Sequence, residues 1–393
     1  MKIKTLPLIS GAILLLSFTL TSCLKDEVDV KKIHYTGEEF AVLQNYLNLP
    51  GERESYQVTL PDHMRDMGMA VPQINDARAT LGRVLFYDKQ LSRNNAVSCA
   101  SCHHQELAFS DDKAKSEGFD GELTLRNSLA LASVANFESS YGGGDSFFGQ
   151  RSFFFWDERA HTIAEQSTLT IQDDIEMGMD LDVLAAKLVD VPYYPILFQK
   201  AFGDEVITKD RVLQAVQEFV NSFVSTNSRF DKGMSVHRNA FSDFNNFSPA
   251  ENLGKTLFIS NCSSCHSSDM SRVVEAIANN GLDMEYDDPG VASITYNEWD
   301  EGKFKVPFLR NIALTAPYMH DGRFATLRDV VEHYNSGVKN HPNLDFRLKN
   351  TSGLNQPKRL NLNEEEKDAL VAFLGTLTDN QFIDDRRFAD PFK

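Results

Sequence analysis

Apolar residues recur at helical spacing in two stretches of nearly the same composition. Leu81-Gly82-Arg83-Val84-Leu85-Phe86 and Leu253-Gly254-Lys255-Thr256-Leu257-Phe258 each set two leucines at i, i+4, on one face of a helix. Ser248-Pro249-Ala250-Glu251 opens the second as a capping box with proline in its first turn. The same period predicts helices over Leu181 to Val189, Lys209 to Val224, Leu327 to Tyr334 and Asn363 to Leu374. Strand patterns are few, so the reading is a mainly α protein with long loops. Loop formers at Thr226-Asn227-Ser228 and Asn245-Asn246 put a domain boundary between Ser225 and Phe247. The run Tyr141-Gly142-Gly143-Gly144-Asp145 reads as a surface loop inserted in the first half.

The repetition extends beyond the helices. After each comes Cys-x-x-Cys-His, as Cys99-Ala-Ser-Cys102-His103 and as Cys262-Ser-Ser-Cys265-His266. Leu-Arg-Asn follows both times, at Leu125 to Asn127 and Leu309 to Asn311, and then Trp156-Asp157-Glu158-Arg159 or His320-Asp321-Gly322-Arg323. Four landmarks in one order make a duplicated module. The fold class expected is two cytochrome c-like domains in tandem, each holding one covalently bound haem. Their bounds are 70–235 and 236–393, after a lead-in over 23–69.

Haem follows from the spacing of the motif. Two thiols three positions apart lie on one side of a helical turn, where both can add to porphyrin vinyl groups, and the next histidine reaches the iron. A zinc site would need the four cysteines to converge, and a redox pair would want a βαβ context. Neither accounts for a histidine after both pairs.

Of the five cysteines these motifs use four, leaving Cys23. Lys2 and Lys4, an apolar run from Leu6 to Leu20, and Leu20-Thr21-Ser22-Cys23 have the order of a secretory signal ending in a lipoprotein box. Residues 1–22 are therefore read as a signal peptide, and Cys23 as the lipidated residue. The expected location is the periplasmic side of the envelope, anchored to the membrane by lipid. Haem attachment at such motifs belongs to exported proteins, so the two signals agree. The rest of the 393-residue chain suffices for two domains of ordinary size. A net charge of -17 argues against nucleic acid and favours a positively charged protein partner.

The order LGxxLFYD, CxxCH, RNS, FWDxR, then LRN and TAPYMHDGR resembles the bacterial dihaem cytochrome c peroxidase and MauG superfamily over roughly residues 70 to 377. The resemblance implies a peroxide site at the N-terminal haem and an electron-transfer haem in the C-terminal half. His103 and His266 would be the proximal iron ligands, and Trp156 the residue between the haems. Gln166 and Glu176 match the distal pocket. Asn127, Thr315 and Pro317 match positions that hold a calcium ion between the domains, a hard cation suited to oxygen ligands. Glu176 also makes sense on its own, because cleaving an O–O bond needs a group that takes a proton from one oxygen and returns it to the other. A partly buried carboxylate of raised pKa does both. Gln166 either orients peroxide or caps a helix.

Two departures point toward the MauG-type branch. Where other members carry a loop histidine, this chain has Phe119, which cannot bind iron; His104 and His161 are possible substitutes, but His104 adjoins the proximal ligand and would struggle to reach the opposite face. Where other members use methionine on the second iron, Tyr334 stands at the matching spacing, with Met319 as a rival. Tyrosinate favours oxidised iron, whereas thioether favours the ferrous state. The leading expectation is a peroxidase that reduces hydrogen peroxide to water with electrons from a small redox donor such as a cytochrome c or a quinol-linked protein. A variant directs a high-valent dihaem state outward to oxidise a protein or organic substrate. A third reading, a non-enzymatic dihaem electron carrier, requires a strong ligand on both distal faces.

Overall fold

The computed structural model describes residues 35–52, 54–66, 69, 73–133, 153–350 and 356–393. The signal segment, Cys23 and the glycine-rich run at 141–145 lie outside them. Its helices are α1 (Gly37–Gln44), α2 (Asp62–Asp66), α3 (Asp76–Tyr87), α4 (Ile163–Gln172), α5 (Leu181–Val189), α6 (Tyr194–Phe202) and α7 (Lys209–Asn221), then α8 (Arg229–His237), α9 (Pro249–Asn261), α10 (Ser263–His266), α11 (Ala292–Thr295), α12 (Leu327–Glu332), α13 (Glu364–Gly375) and α14 (Asn380–Ile383). The described sheet is one antiparallel pair, β1 (Ile277–Ala278) with β2 (Phe304–Lys305), in the register Ile277 to Lys305 and Ala278 to Phe304. None of the described helices is long and apolar enough to cross a membrane.

The duplication is visible in how the helices cross. In the first half α3 packs on α7, and in the second α9 packs on α13. The glycine of each repeated hexapeptide sits at the crossing. A Cβ on Gly82 would stand 1.9 Å from the Ala215 carbonyl oxygen and 2.8 Å from the Phe219 Cβ. On Gly254 it would stand 1.9 Å from the Ala369 carbonyl oxygen and 2.9 Å from the Phe373 Cβ. Both helix pairs therefore meet backbone to backbone, and each sends a phenylalanine into its core.

Two apolar cores result, with bounds that differ from those read in the sequence. The first gathers Phe86, Phe109, Phe219 and Phe223, and the second Phe230, Phe244, Phe258 and Phe373. The lead-in is more than a tether, because Leu43, Leu47 and Tyr56 are buried in the first core. The expected loop region between Ser225 and Phe247 contains α8, opened by a Ser228 and Asp231 capping box and burying Phe230 and Met234 in the second core. The C-terminal segment, assigned to the second domain from the sequence, returns to the first. Phe382 and Phe388 pack there, and the Tyr87 hydroxyl donates to the Phe388 carbonyl over 2.7 Å.

Candidate functional site

Both Cys-x-x-Cys-His motifs open onto one continuous cavity of about 780 Å³ between the two cores. Cys99 begins a short 3-10 turn, Cys99–Ser101, and Cys262 ends α9 where α10 begins, so each motif has the helical geometry that its spacing requires. None of the four cysteines forms a disulfide, so all are available for thioether bonds, and before attachment burial pushes their thiols up, Cys99 and Cys262 to about 12 and Cys102 and Cys265 to about 11.

The histidines are held alike. His103 Nδ1 donates to the Phe109 carbonyl at 2.8 Å, and His266 Nδ1 to the Pro307 carbonyl at 3.1 Å. Each Nε2 is left as the lone-pair donor, the second-sphere arrangement that fixes an imidazole toward a metal. Burial lowers both, His266 to about 4, so both rings are neutral as iron ligation demands. Paired thiols, an oriented neutral imidazole beside each pair, and an apolar cavity spanning both fit two covalently attached porphyrins.

On the His103 side, α4 and the turn after it supply the polar groups. Thr162 caps α4, so Gln166 is an interior residue of the helix rather than its cap, and it faces the cavity. Its amide donates to the Thr170 hydroxyl at 3.0 Å, and Thr170 lies near enough to Glu176 to favour its charged form. Burial, and then the nearby Asp173 charge, push the Glu176 carboxyl above the ordinary range. Gln166, Thr170 and Glu176 thus stand together on the cavity wall. Thr170 escaped sequence reasoning, although its i+4 relation to Gln166 was available.

The loop opposite contributes no ligand. The Phe119 amide donates to the Glu176 carbonyl over 3.0 Å, while its ring turns to Gly178 and stacks under the Arg93 guanidinium. His104 lies beside Asp111, and His161 packs against the Phe153 ring.

Trp156 stands at the junction of the halves. Its indole is buried and donates to the Asn127 carbonyl at 2.8 Å, and its own carbonyl accepts from the Lys305 amide at 2.8 Å. Around it Arg126 pairs with Asp157 at 2.5 Å and with Asp288 at 2.7 Å. Thr315 and Pro317 lie on the same wall as Asn127, whose amide N–H reaches the His320 carbonyl at 2.8 Å. On the His266 side, Tyr334 lies in a π-helical turn that ends α12, His333–Gly337, a distortion frequent at functional sites. Burial raises its phenol, an effect the neighbouring Asn280 side chain partly offsets. The Asn280 amide donates to the Met319 Sδ at 3.5 Å, so both rival ligands converge on one asparagine that no sequence signal marked.

Fold and site together define a duplicated c-type cytochrome with an acid–base pocket in one half. The dihaem cytochrome c peroxidase family model matches residues 76–239, and a cytochrome c model matches 252–378. The chain is 31% identical over 309 residues to the methylamine utilization protein MauG of Methylorubrum extorquens, covering 76% of this chain and 78% of that one. It is 31% identical over 324 residues to the cytochrome c551 peroxidase of Nitrosomonas europaea, covering 79% and 83%. A MauG-like protein associated with microbial copper homeostasis superposes with a TM-score of 0.66 at 30% identity, covering 88% of this chain and 98% of that one. The chain belongs to the dihaem cytochrome c peroxidase and MauG family. It carries two covalently bound haem c groups and is a haem oxidoreductase.

Proposed function

We propose that this chain reduces hydrogen peroxide to water in the pocket beside His103, with electrons from a small redox donor. The observation that carries the reading is Glu176, a half-buried carboxyl of raised pKa that lines the same cavity as His103, beside Thr170 and Gln166. The haems supply the redox chemistry. Glu176, as the carboxylate, would take the proton from one peroxide oxygen and return it to the other, which leaves as the first water; two electrons from the donor, delivered through the haems, and two protons convert the remaining oxygen to the second water. The Gln166 amide orients the peroxide, and Thr170 fixes the carboxylate between the two positions. With Phe119 turned to Arg93, the loop leaves the pocket open to peroxide. Trp156, between the halves, carries electrons from the second site to the first.

The test is turnover of the holoprotein with reduced cytochrome c and peroxide. Glu176→Gln is expected to lose about 10²-fold or more in rate while keeping the resting ferric spectrum. Normal turnover in that variant would remove Glu176 from the mechanism.

A second reading, oxidation of a protein or organic substrate, is favoured by Tyr334 on the cavity wall. A phenolate on the second iron lowers its potential and retains oxidising equivalents. Tyr334→Met should raise that potential; an unchanged value would remove Tyr334 as ligand and leave Met319.

Calcium is proposed at Asn127, Thr315 and Pro317. The Asn127 amide N–H donates to the Lys113 carbonyl and the Thr315 hydroxyl to the Ile312 carbonyl, so each side-chain oxygen keeps lone pairs for a hard cation. Export and lipid attachment at Cys23 complete the proposal. They rest on the order of charged, apolar and small residues before Cys23 and on the two haem motifs. Fatty-acid labelling that persists in Cys23→Ser would refute the attachment.

A further inference from the structure

A continuous run of short contacts links the two motif histidines and passes through the junction of the halves. Ser128 Oγ lies 3.3 Å from His103 Nδ1 and donates to the Cys102 carbonyl at 2.8 Å. The residue before it, Asn127, accepts the Trp156 indole N–H. The Trp156 carbonyl accepts the amide of Lys305 in β2, and two residues later the Pro307 carbonyl accepts His266 Nδ1. The short segment 304–307, β2 and the two residues after it, thus holds the tryptophan of one half and the histidine of the other.

The Lys305 side chain reinforces this link. Its ammonium donates to the Phe153 carbonyl at 2.6 Å and lies 3.4 Å from the Glu158 carboxylate, which also accepts the Phe153 amide at 3.2 Å. The loop 153–158 that carries Trp156 is therefore gripped at both ends from β2. The two charged side chains are 5% and 10% exposed, so their charges act through protein rather than water. Arg126, Arg159, Asp157 and Asp288 form the rest of the charged setting and pair among themselves. Burying a lysine beside Phe304 carries a cost that packing does not explain, since burial pushes its ammonium down to about 8 even with Glu158 opposing the shift.

We propose that Lys305 is a positioning residue that clamps the Trp156 loop to the segment 304–307, whose Pro307 carbonyl holds His266, and that with Glu158 it sets the electrostatic potential at the junction of the two haem sites. The proposal rests on the reading of Trp156 as the residue between the haems, but its test needs no peroxide.

The experiment is a potentiometric titration of the holoprotein at pH 7, followed through the visible absorption of both haems, for wild type, K305R, K305M and E158Q. Losing a buried cation near an iron stabilises the oxidised state, and losing a buried anion does the opposite. The haem on His266 should therefore shift to lower potential in K305M and to higher potential in E158Q, while K305R stays close to wild type. A role confined to packing would move K305M and E158Q the same way, and that result would overturn the proposal. Unchanged potentials in E158Q, an isosteric change that tests the charge even where K305M fails to fold, would overturn it as well. Failed peroxide turnover would refute the peroxidase reading without touching these potentials.

Discussion

In the proposed mechanism Glu176 is the residue on which the chemistry turns. Burial and Asp173 raise its pKa, and the mechanism needs it ionised when peroxide arrives. Activity should therefore fall as pH drops through the raised value, giving an acid limb above the usual carboxylate range. A pH–rate profile whose acid limb is unchanged in Glu176→Gln would assign that limb elsewhere. Asp231 is the structural counterpart: burial alone would raise its carboxyl, yet Arg310, 2.8 Å away, holds it well below the ordinary range. Both side chains are almost fully buried, so Asp231→Asn leaves Arg310 without its counter-ion and should cost about 3 to 5 kcal/mol. Thermal denaturation of the holoprotein checks this. The sequence marked Glu176 and Gln166 through a motif. It marked Thr170 only through its i+4 relation to Gln166 and Asn280 not at all, because a hydroxyl or amide acquires its role from what it faces.

Among the elements, the two glycine crossings carry the duplication. Gly82→Ala and Gly254→Ala each drive a Cβ into a carbonyl oxygen of the partner helix, so the helices must part. Each should destabilise by about 1 to 3 kcal/mol or more, and the two should act on different cores. Thermal denaturation showing neither variant weakened would mean that the crossings are looser than drawn. The hydrophobic period predicted α5 at its observed bounds and α9 with its cap, because both are amphipathic with local stop signals. It missed α8, whose short apolar set is flanked by loop formers. It also ran α12 through Tyr334, where the backbone widens into a π turn.

For the whole molecule, the halves are not independent beads. The final segment crosses back to pack Phe382 and Phe388 on Phe109 and Phe223, directly above the carbonyl that orients His103. Phe388→Ala should cost about 3 to 5 kcal/mol and disturb the first haem's spectrum more than the second's. Equal disturbance of both would contradict that assignment. Duplication was legible from repeated words in the chain, whereas this return was not, since nothing local distinguishes a phenylalanine that packs near from one that packs far. The central claim is a peroxide pocket that is open on the His103 side and shares its oxidising equivalents with the second site. The most direct test is the ferric electron paramagnetic resonance spectrum of the holoprotein before and after one equivalent of hydrogen peroxide. The account predicts one high-spin and one low-spin haem, with both signals lost on addition; two low-spin haems indifferent to peroxide would contradict it.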